Sequence, residues 1–224
     1  MPASFFWVGG TRGGALVARW PRQLTPPRQL ARHSLPPPLR NAEFLMRGCL
    51  RVVQWNADGL KLKVQELEAF LDQHRVDVCM VQETKLREVD RTPSFGNYIA
   101  LRRDRRVGPS GPRSGGGLLT LIKKDVPYRE VFPTRDTRGS NLEVLAVEVP
   151  TGRCDRLTLV NVYLPPIRTT PGETRADVFD PEILPMGCRF LICGDLNAHS
   201  HLWDRSQPAD ARGVFWNSGS WTMT

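Results

Sequence analysis

Seven times between Leu50 and Cys193 the chain returns to a run of four to eight apolar and largely β-branched residues, separated by turn-forming or charged segments. The runs are Leu50–Trp55, Val76–Gln82, Tyr98–Leu101, Gly117–Ile122, Leu142–Val149, Leu157–Tyr163 and Phe190–Cys193. Runs this short read as strands. Only between the first two does an apolar stripe at helical spacing appear, on Leu60, Val64, Leu67 and Leu71. That unit reads as strand, helix, strand, with a right-handed crossover and parallel pairing expected. Many strands with few covering helices predict an α/β architecture of two packed mixed β-sheets flanked by helices, a four-layered sandwich. Neither G-x-G-x-x-G nor G-x-x-x-x-G-K-[ST] occurs, which argues against dinucleotide and P-loop sites.

The first 48 residues have a different character. They hold seven of the prolines, including Pro26-Pro27 and Pro36-Pro37-Pro38, and seven Arg against the single acid Glu43. Missing amide donors and fixed φ disfavour regular structure there, so residues 1–48 are expected to be a disordered Arg/Pro-rich tail. It reads as a basic arm for nucleic acid, an Arg-rich targeting peptide or a solvated leader. Most of the formal net charge of +8 sits in this tail, so the charge of the remainder, close to neutral, names no partner. Residues 49–213 are expected to form the domain. Residues 214–224 (VFWNSGSWTMT) read as an atypical end, because Ser, Gly and Thr break the helical stripe expected after Asp210-Ala211-Arg212-Gly213. Five Cys without a C-x-x-C pair suggest a reduced, intracellular protein. No apolar stretch reaches the roughly 18–20 residues of a membrane span, and no basic n-region opens the chain.

Four strand ends share one layout, a polar or acidic residue where the apolar run stops: Asn56 with Asp58, Glu83, Tyr163, and Asp195 with Asn197. Strand ends opening on one rim can gather such residues across long sequence separations. Asn, Asp and Glu are hard oxygen donors, suited to Mg²⁺ or Mn²⁺ and poorly to zinc. Magnesium binds through one or two carboxylates, water and a substrate phosphate, which makes phosphoester hydrolysis the natural reaction. Read without that chemistry, Asn56-Ala57-Asp58-Gly59 is a good turn and Gly194-Asp195-Leu196-Asn197 an Asx-turn.

The strings Gln54-Trp55-Asn56-Ala57-Asp58-Gly59, Gln82-Glu83-Thr84-Lys85, Asn161-Val162-Tyr163 and Gly194-Asp195-Leu196-Asn197-Ala198-His199 resemble, in order, the motifs of the endonuclease/exonuclease/phosphatase superfamily. VDVCMVQETKL, GGGLLTLIKKDVPY, LTLVNVYLPP and GDLNAHSHLWD resemble, within it, the endonuclease domains of non-LTR retrotransposons, over about residues 50–213. The resemblance implies a metal-dependent DNA endonuclease that nicks target DNA for a reverse transcriptase of the parent element. It makes Glu83 the principal metal carboxylate, with Asn56 holding metal or phosphate and Asp58 an outer partner. Asp195 would activate the water, Asn197 would bind the phosphate or Asp195, and Tyr163 would contact the phosphate or the leaving oxygen. DNA is the implied partner, Mg²⁺ or Mn²⁺ the implied cofactor and the nucleus the implied site of action.

The family's later Asp and Ser-Asp-His segments have no counterpart in this chain, so the resemblance implies a C-terminally truncated, incomplete sandwich. His199 and His201 follow the Asp195 motif and read as polar loop residues in preference to metal ligands or a general base. Arg102, Arg103, Arg105 and Arg106, with Arg113, crowd a Gly- and Pro-rich stretch opposed only by Asp104, a candidate phosphate clamp or a solvated loop. Two further readings stay open: a fragment that binds nucleic acid without cleaving it, and a phosphatase acting on lipid or inositol phosphates.

Overall fold

A computed structural model describes residues 7–9, 15–21, 49–105, 115–133, 142–151, 156–166, 184, 189–201 and 208–217. The elements are β1 (Trp7–Gly9), β2 (Ala15–Pro21), β3 (Cys49–Asn56), α1 (Val64–Gln73), β4 (Val78–Gln82), β5 (Tyr98–Arg103), β6 (Leu118–Lys123), β7 (Arg129–Val131), β8 (Glu143–Pro150), β9 (Arg156–Tyr163), β10 (Phe190–Asp195) and α2 (Ala211–Asn217). They form two five-stranded mixed sheets, ordered β1-β10-β9-β8-β7 and β2-β3-β4-β6-β5. β3 and β4 pair in parallel across α1, as the strand, helix, strand reading expects. All seven apolar runs are strands of these sheets.

Side-chain alternation sorts the strand residues into three apolar layers. Leu50, Val52, Val78, Met80 and Ile122 of one sheet meet Val147, Val149, Leu157, Leu159, Leu191 and Cys193 of the other. Their neighbours in the opposite phase, Val53, Cys79, Val81, Leu119 and Leu121, pack against Leu67 and Leu71 of α1. On the far face of the other sheet, Val144, Ala146, Val160, Val162, Phe190 and Ile192 pack with Leu164, Leu184 and Leu196. Full burial of each large apolar side chain is worth about 1.5–3 kcal/mol, so all three layers contribute to cohesion.

That layer is not uniformly apolar. Gln54, Gln82 and Asn161 occupy inward-facing positions and are buried. Gln54 donates to Gln82 Oε1 (2.5 Å) and Gln82 donates to Asn161 Oδ1 across the sheets (2.7 Å). Asn161 Nδ2 in turn lies within reach of Val81 O, Leu119 O and Thr120 Oγ1. We expect Asn161→Leu to lower stability by about 1–3 kcal/mol, because the buried Gln82 amide loses its shorter acceptor contact. Urea denaturation checks this; an unchanged midpoint would contradict it.

The observed elements depart from the sequence expectations in four places. β7, three residues with two charges, carries too short a pattern to read. The helix begins at Val64, and Leu60 sits before it in a turn closed by Lys63 N–H to Leu60 O (2.8 Å). α2 continues to Asn217, ending where Ser218-Gly219-Ser220 begin. Two strands lie within residues 1–48: β1 pairs in parallel with β10 and β2 antiparallel with β3; the rest of that segment falls outside the described residues. Among the described residues Cys49, Cys79 and Cys193 are free thiols, and burial pushes Cys79 and Cys193 up to about 12. No helix among them is long and apolar enough to cross a membrane.

Candidate active site at the strand ends

The phase that fills the layer between the sheets also aims the last residues of the strands. Asn56 follows Leu50, Val52 and Gln54 in phase; Tyr163 follows Leu157, Leu159 and Asn161; Asp195 follows Leu191 and Cys193. Register aligns them, since Asn56 sits opposite Gln82 and Asp195 opposite Tyr163. One rim of the sandwich therefore collects polar residues from both sheets.

Asn56 is the hinge of this collection. Its Nδ2 donates to Glu83 Oε1 (2.9 Å) and to Asp195 Oδ2 (2.7 Å), although Asp195 lies 139 positions away in sequence. Its Oδ1 accepts from the Asp58 amide (3.1 Å), which fixes the orientation of the side-chain amide. Two carboxylates thus converge on one buried donor. Asn197 joins through its backbone N–H to Asp195 Oδ1 (2.9 Å), while its side chain donates to Leu164 O (2.9 Å) at the end of β9. The Asx-turn reading of this segment and its place at the site hold together.

Backbone strain concentrates here. Five non-glycine residues among those described have positive φ, and four of them are Asp58, Glu83, Lys85 and Asn197, with φ of 44–51°. Each costs roughly 1–2 kcal/mol, which the surrounding hydrogen bonds must offset. Those bonds are visible around Glu83: Ala57 N–H donates to Gln82 O (2.9 Å), Gly59 N–H to Glu83 O (2.8 Å) and Leu60 N–H to Thr84 O (3.0 Å). Asp58 turns outward, exposed, and pairs with Lys85, whose ammonium also stands 4.0 Å from Glu83 Oε2.

Tyr163 is buried. Burial raises its phenol well above the usual range, Glu83 beside it raises it further, and Arg105 opposes both. The Arg105 guanidinium carbon lies 5.3 Å from the centre of the Tyr163 ring. Two further arginines of the expected clamp are engaged elsewhere in the described structure. Arg102 is engaged by Asp104 (2.5 Å) and by the carbonyls of Arg87 and Asp90, and Arg103 donates to Val144 O (2.5 Å). Arg106 and Arg113 lie outside the described residues.

Sequence reasoning missed Lys85, Glu143 and Arg212 as parts of the rim. Arg212 is buried and its Nη1 reaches Pro165 O (2.8 Å) and Leu196 O (3.1 Å), tying the ends of β9 and β10 together. Glu143 had a signal: it is an acid in the same phase as Val147 and Val149, which face the other sheet, and it lies opposite Tyr163. His199 contributes its carbonyl to Asp210 N–H (3.0 Å), and His201 is exposed.

The donor set of the rim is oxygen. Among the described residues no group of three or more His, Cys, Asp and Glu forms a cage for a metal. Glu83 and Asp195, held on a common amide, instead present the one or two carboxylates through which a partly hydrated Mg²⁺ binds when a phosphate completes its shell. The residues fit such an ion and do not fit zinc.

The model of the Endonuclease/Exonuclease/phosphatase family matches residues 53–224. The chain is 28% identical over 165 residues to the probable RNA-directed DNA polymerase from transposon X-element of Drosophila melanogaster, covering 74% of this chain and 17% of that protein. It is 30% identical over 157 residues to the probable RNA-directed DNA polymerase from transposon BS of Drosophila melanogaster, covering 69% and 16%. The chain thus spans about a sixth of the length of these relatives. Among solved structures it is similar to the endonuclease domain of TRAS1, a telomere-specific non-LTR retrotransposon, at 22% identity and a TM-score of 0.49, covering 75% of this chain and 70% of that one. The Xenopus laevis APE2 catalytic domain is similar at 22% identity and a TM-score of 0.47, covering 75% and 66%.

Proposed function

This chain belongs to the endonuclease/exonuclease/phosphatase family, and from that premise we propose that it is a divalent-metal-dependent endonuclease domain that hydrolyses DNA phosphodiesters by attack of water. The observation that carries the reading is the meeting of Glu83 and Asp195 on the Asn56 amide at the open ends of the strands.

Glu83, fixed by Asn56, would hold a Mg²⁺ or Mn²⁺ ion, which when bound would polarise a phosphate oxygen. Asp195 would orient the attacking water and accept its proton, since Asn56 and the Asn197 amide fix the direction of its carboxylate. Tyr163 would face the phosphate or the leaving oxygen, and Asn197 would hold the end of β9 against the reacting group. Asp58 would act at one remove, by keeping Lys85 beside Glu83.

DNA is the proposed substrate because the relatives are named RNA-directed DNA polymerases of transposons. A polymerase of that kind needs a 3′-hydroxyl to extend, and a nick supplies one. An RNA-directed DNA polymerase would then be the partner, and nuclear DNA the place of action.

Nicking of supercoiled plasmid is the test. We expect conversion to open circles with Mg²⁺ or Mn²⁺, and its loss on adding a chelator. Absence of nicking under both metals, or equal turnover of a panel of lipid and inositol phosphates, would contradict the assignment.

A further inference from the structure

The arginine that faces Tyr163 is itself held by a built arrangement. Arg105 Nε donates to Glu143 Oε1 at 2.6 Å, and the second oxygen of Glu143 accepts the Gly117 amide at 2.6 Å. The two side chains are only 17% and 9% exposed, so this is a sheltered ion pair rather than a surface contact. Burial raises the Glu143 carboxyl, while Arg105, first by its charge, and the Gly117 amide pull it down.

The pair rests on a turn whose glycines have positive φ and lie against its side chains. Gly116 has φ of +72°, and a Cβ there would stand 2.4 Å from Arg105 Cζ, Arg105 Nε and Glu143 Oε1. Gly117 has φ of +86°, and a Cβ there would stand 2.5 Å from Thr84 Oγ1. The same turn holds the residues that follow Glu83: Thr84 N–H donates to Gly117 O (3.1 Å) and Lys85 N–H to Gly116 O (2.9 Å). Sheet register closes the loop, since Glu143 lies directly opposite Tyr163. Glu83, the glycine turn, Glu143, Arg105 and Tyr163 therefore form one ring of contacts around the candidate site.

We propose that the Arg105–Glu143 pair, seated on Gly116 and Gly117, is the positioning device for Tyr163: it fixes the phenol ring beside Glu83 and keeps a permanent positive charge at its face. Arginine suits the task because its planar guanidinium can offer an edge to a carboxylate and a face to an aromatic ring; lysine offers a point charge on a flexible stem. Neither residue need touch substrate. The inference rests on the proposed nuclease reading for its kinetic part only.

The test uses the full chain labelled with ¹³C in its tyrosine rings. There are three tyrosines, Tyr98, Tyr128 and Tyr163, and each signal is assigned by its Phe variant. We expect Arg105→Lys to move the Tyr163 signal and leave Tyr98 and Tyr128 in place. We expect it also to lower kcat for plasmid nicking by on the order of 10², the scale of a misplaced catalytic group, without a comparable change in KM. In the Tyr163→Phe background the same substitution should cost little more, because both act through one ring. If Arg105→Lys does not fold, the double variant Arg105→Met, Glu143→Met removes both charges together and is expected to give the same two results. An unmoved Tyr163 signal overturns the proposal, as do losses that multiply in the Tyr163→Phe background. Should the wild type fail to nick, the nuclease reading falls while the ring signal still decides whether the pair positions Tyr163.

Discussion

Gly194→Ala is expected to prevent the domain from folding. An ideal Cβ at this position would lie 1.9 Å from Val162 O, 2.6 Å from Val162 Cγ2 and 2.8 Å from Val162 C. The obstacle is mainly the backbone of the neighbouring strand, paired with Gly194 in register, so no side-chain rotation relieves it. β9 and β10 would have to part at the step just before Tyr163 and Asp195. Overpacking a core usually costs about 1–3 kcal/mol, and displacement of a ladder should exceed that. A domain of this size has roughly 5–15 kcal/mol to lose. Urea denaturation followed by circular dichroism should show the cooperative transition lost or shifted far to low denaturant; a wild-type midpoint would contradict the packing described. The glycine in front of Asp195 is thus explained by a close approach of two strands, with no turn required.

Gln82 and Glu83 mark how much of the molecule was legible in the sequence. The apolar runs were readable as strands because their β-branched content and length leave little choice, and the polar residue closing each run announced the rim. Phase was a further signal that the strand-end layout left unused. Asn161 and Tyr163 share the phase of Leu157 and Leu159, so a strand packed on a second sheet must direct them into the layer between. What could not be read is everything fixed by register between distant strands. The amide bridge from Gln82 to Asn161 and the contact of Arg105 with Glu143 depend on which sheet faces which, and the two carbonyls joined by Arg212 depend on β9 and β10 lying side by side. In the arginine stretch, read as a phosphate clamp or a solvated loop, Asp104 and nearby carbonyls engage Arg102 locally, Arg103 donates to Val144 O, and Arg105 faces the Tyr163 ring. Asp58 was grouped with Asn56 by adjacency, but its positive φ turns the carboxylate outward to Lys85.

Glu83→Gln is the second large effect, and it separates function from stability. The substitution keeps the volume and removes one of the two negative charges that share the Asn56 donor. Relief of like-charge crowding and loss of the 4.0 Å contact with Lys85 act in opposite directions, so the folded state should stay close to wild-type stability. The proposed metal carboxylate is lost at the same time, which should slow nicking by about 10²–10⁴. A variant that folds well and fails to cut is the expected signature; one that is destabilised in step with its lost activity would instead mark Glu83 as structural.

Nicking of supercoiled plasmid with Mg²⁺ by the wild type, Glu83→Gln, Asp195→Asn and the double variant bears most directly on whether these two carboxylates serve one site. Groups that act as a unit lose function together, so each single variant should be severely impaired and the double variant hardly worse than either. Wild-type nicking by either single variant would contradict the account.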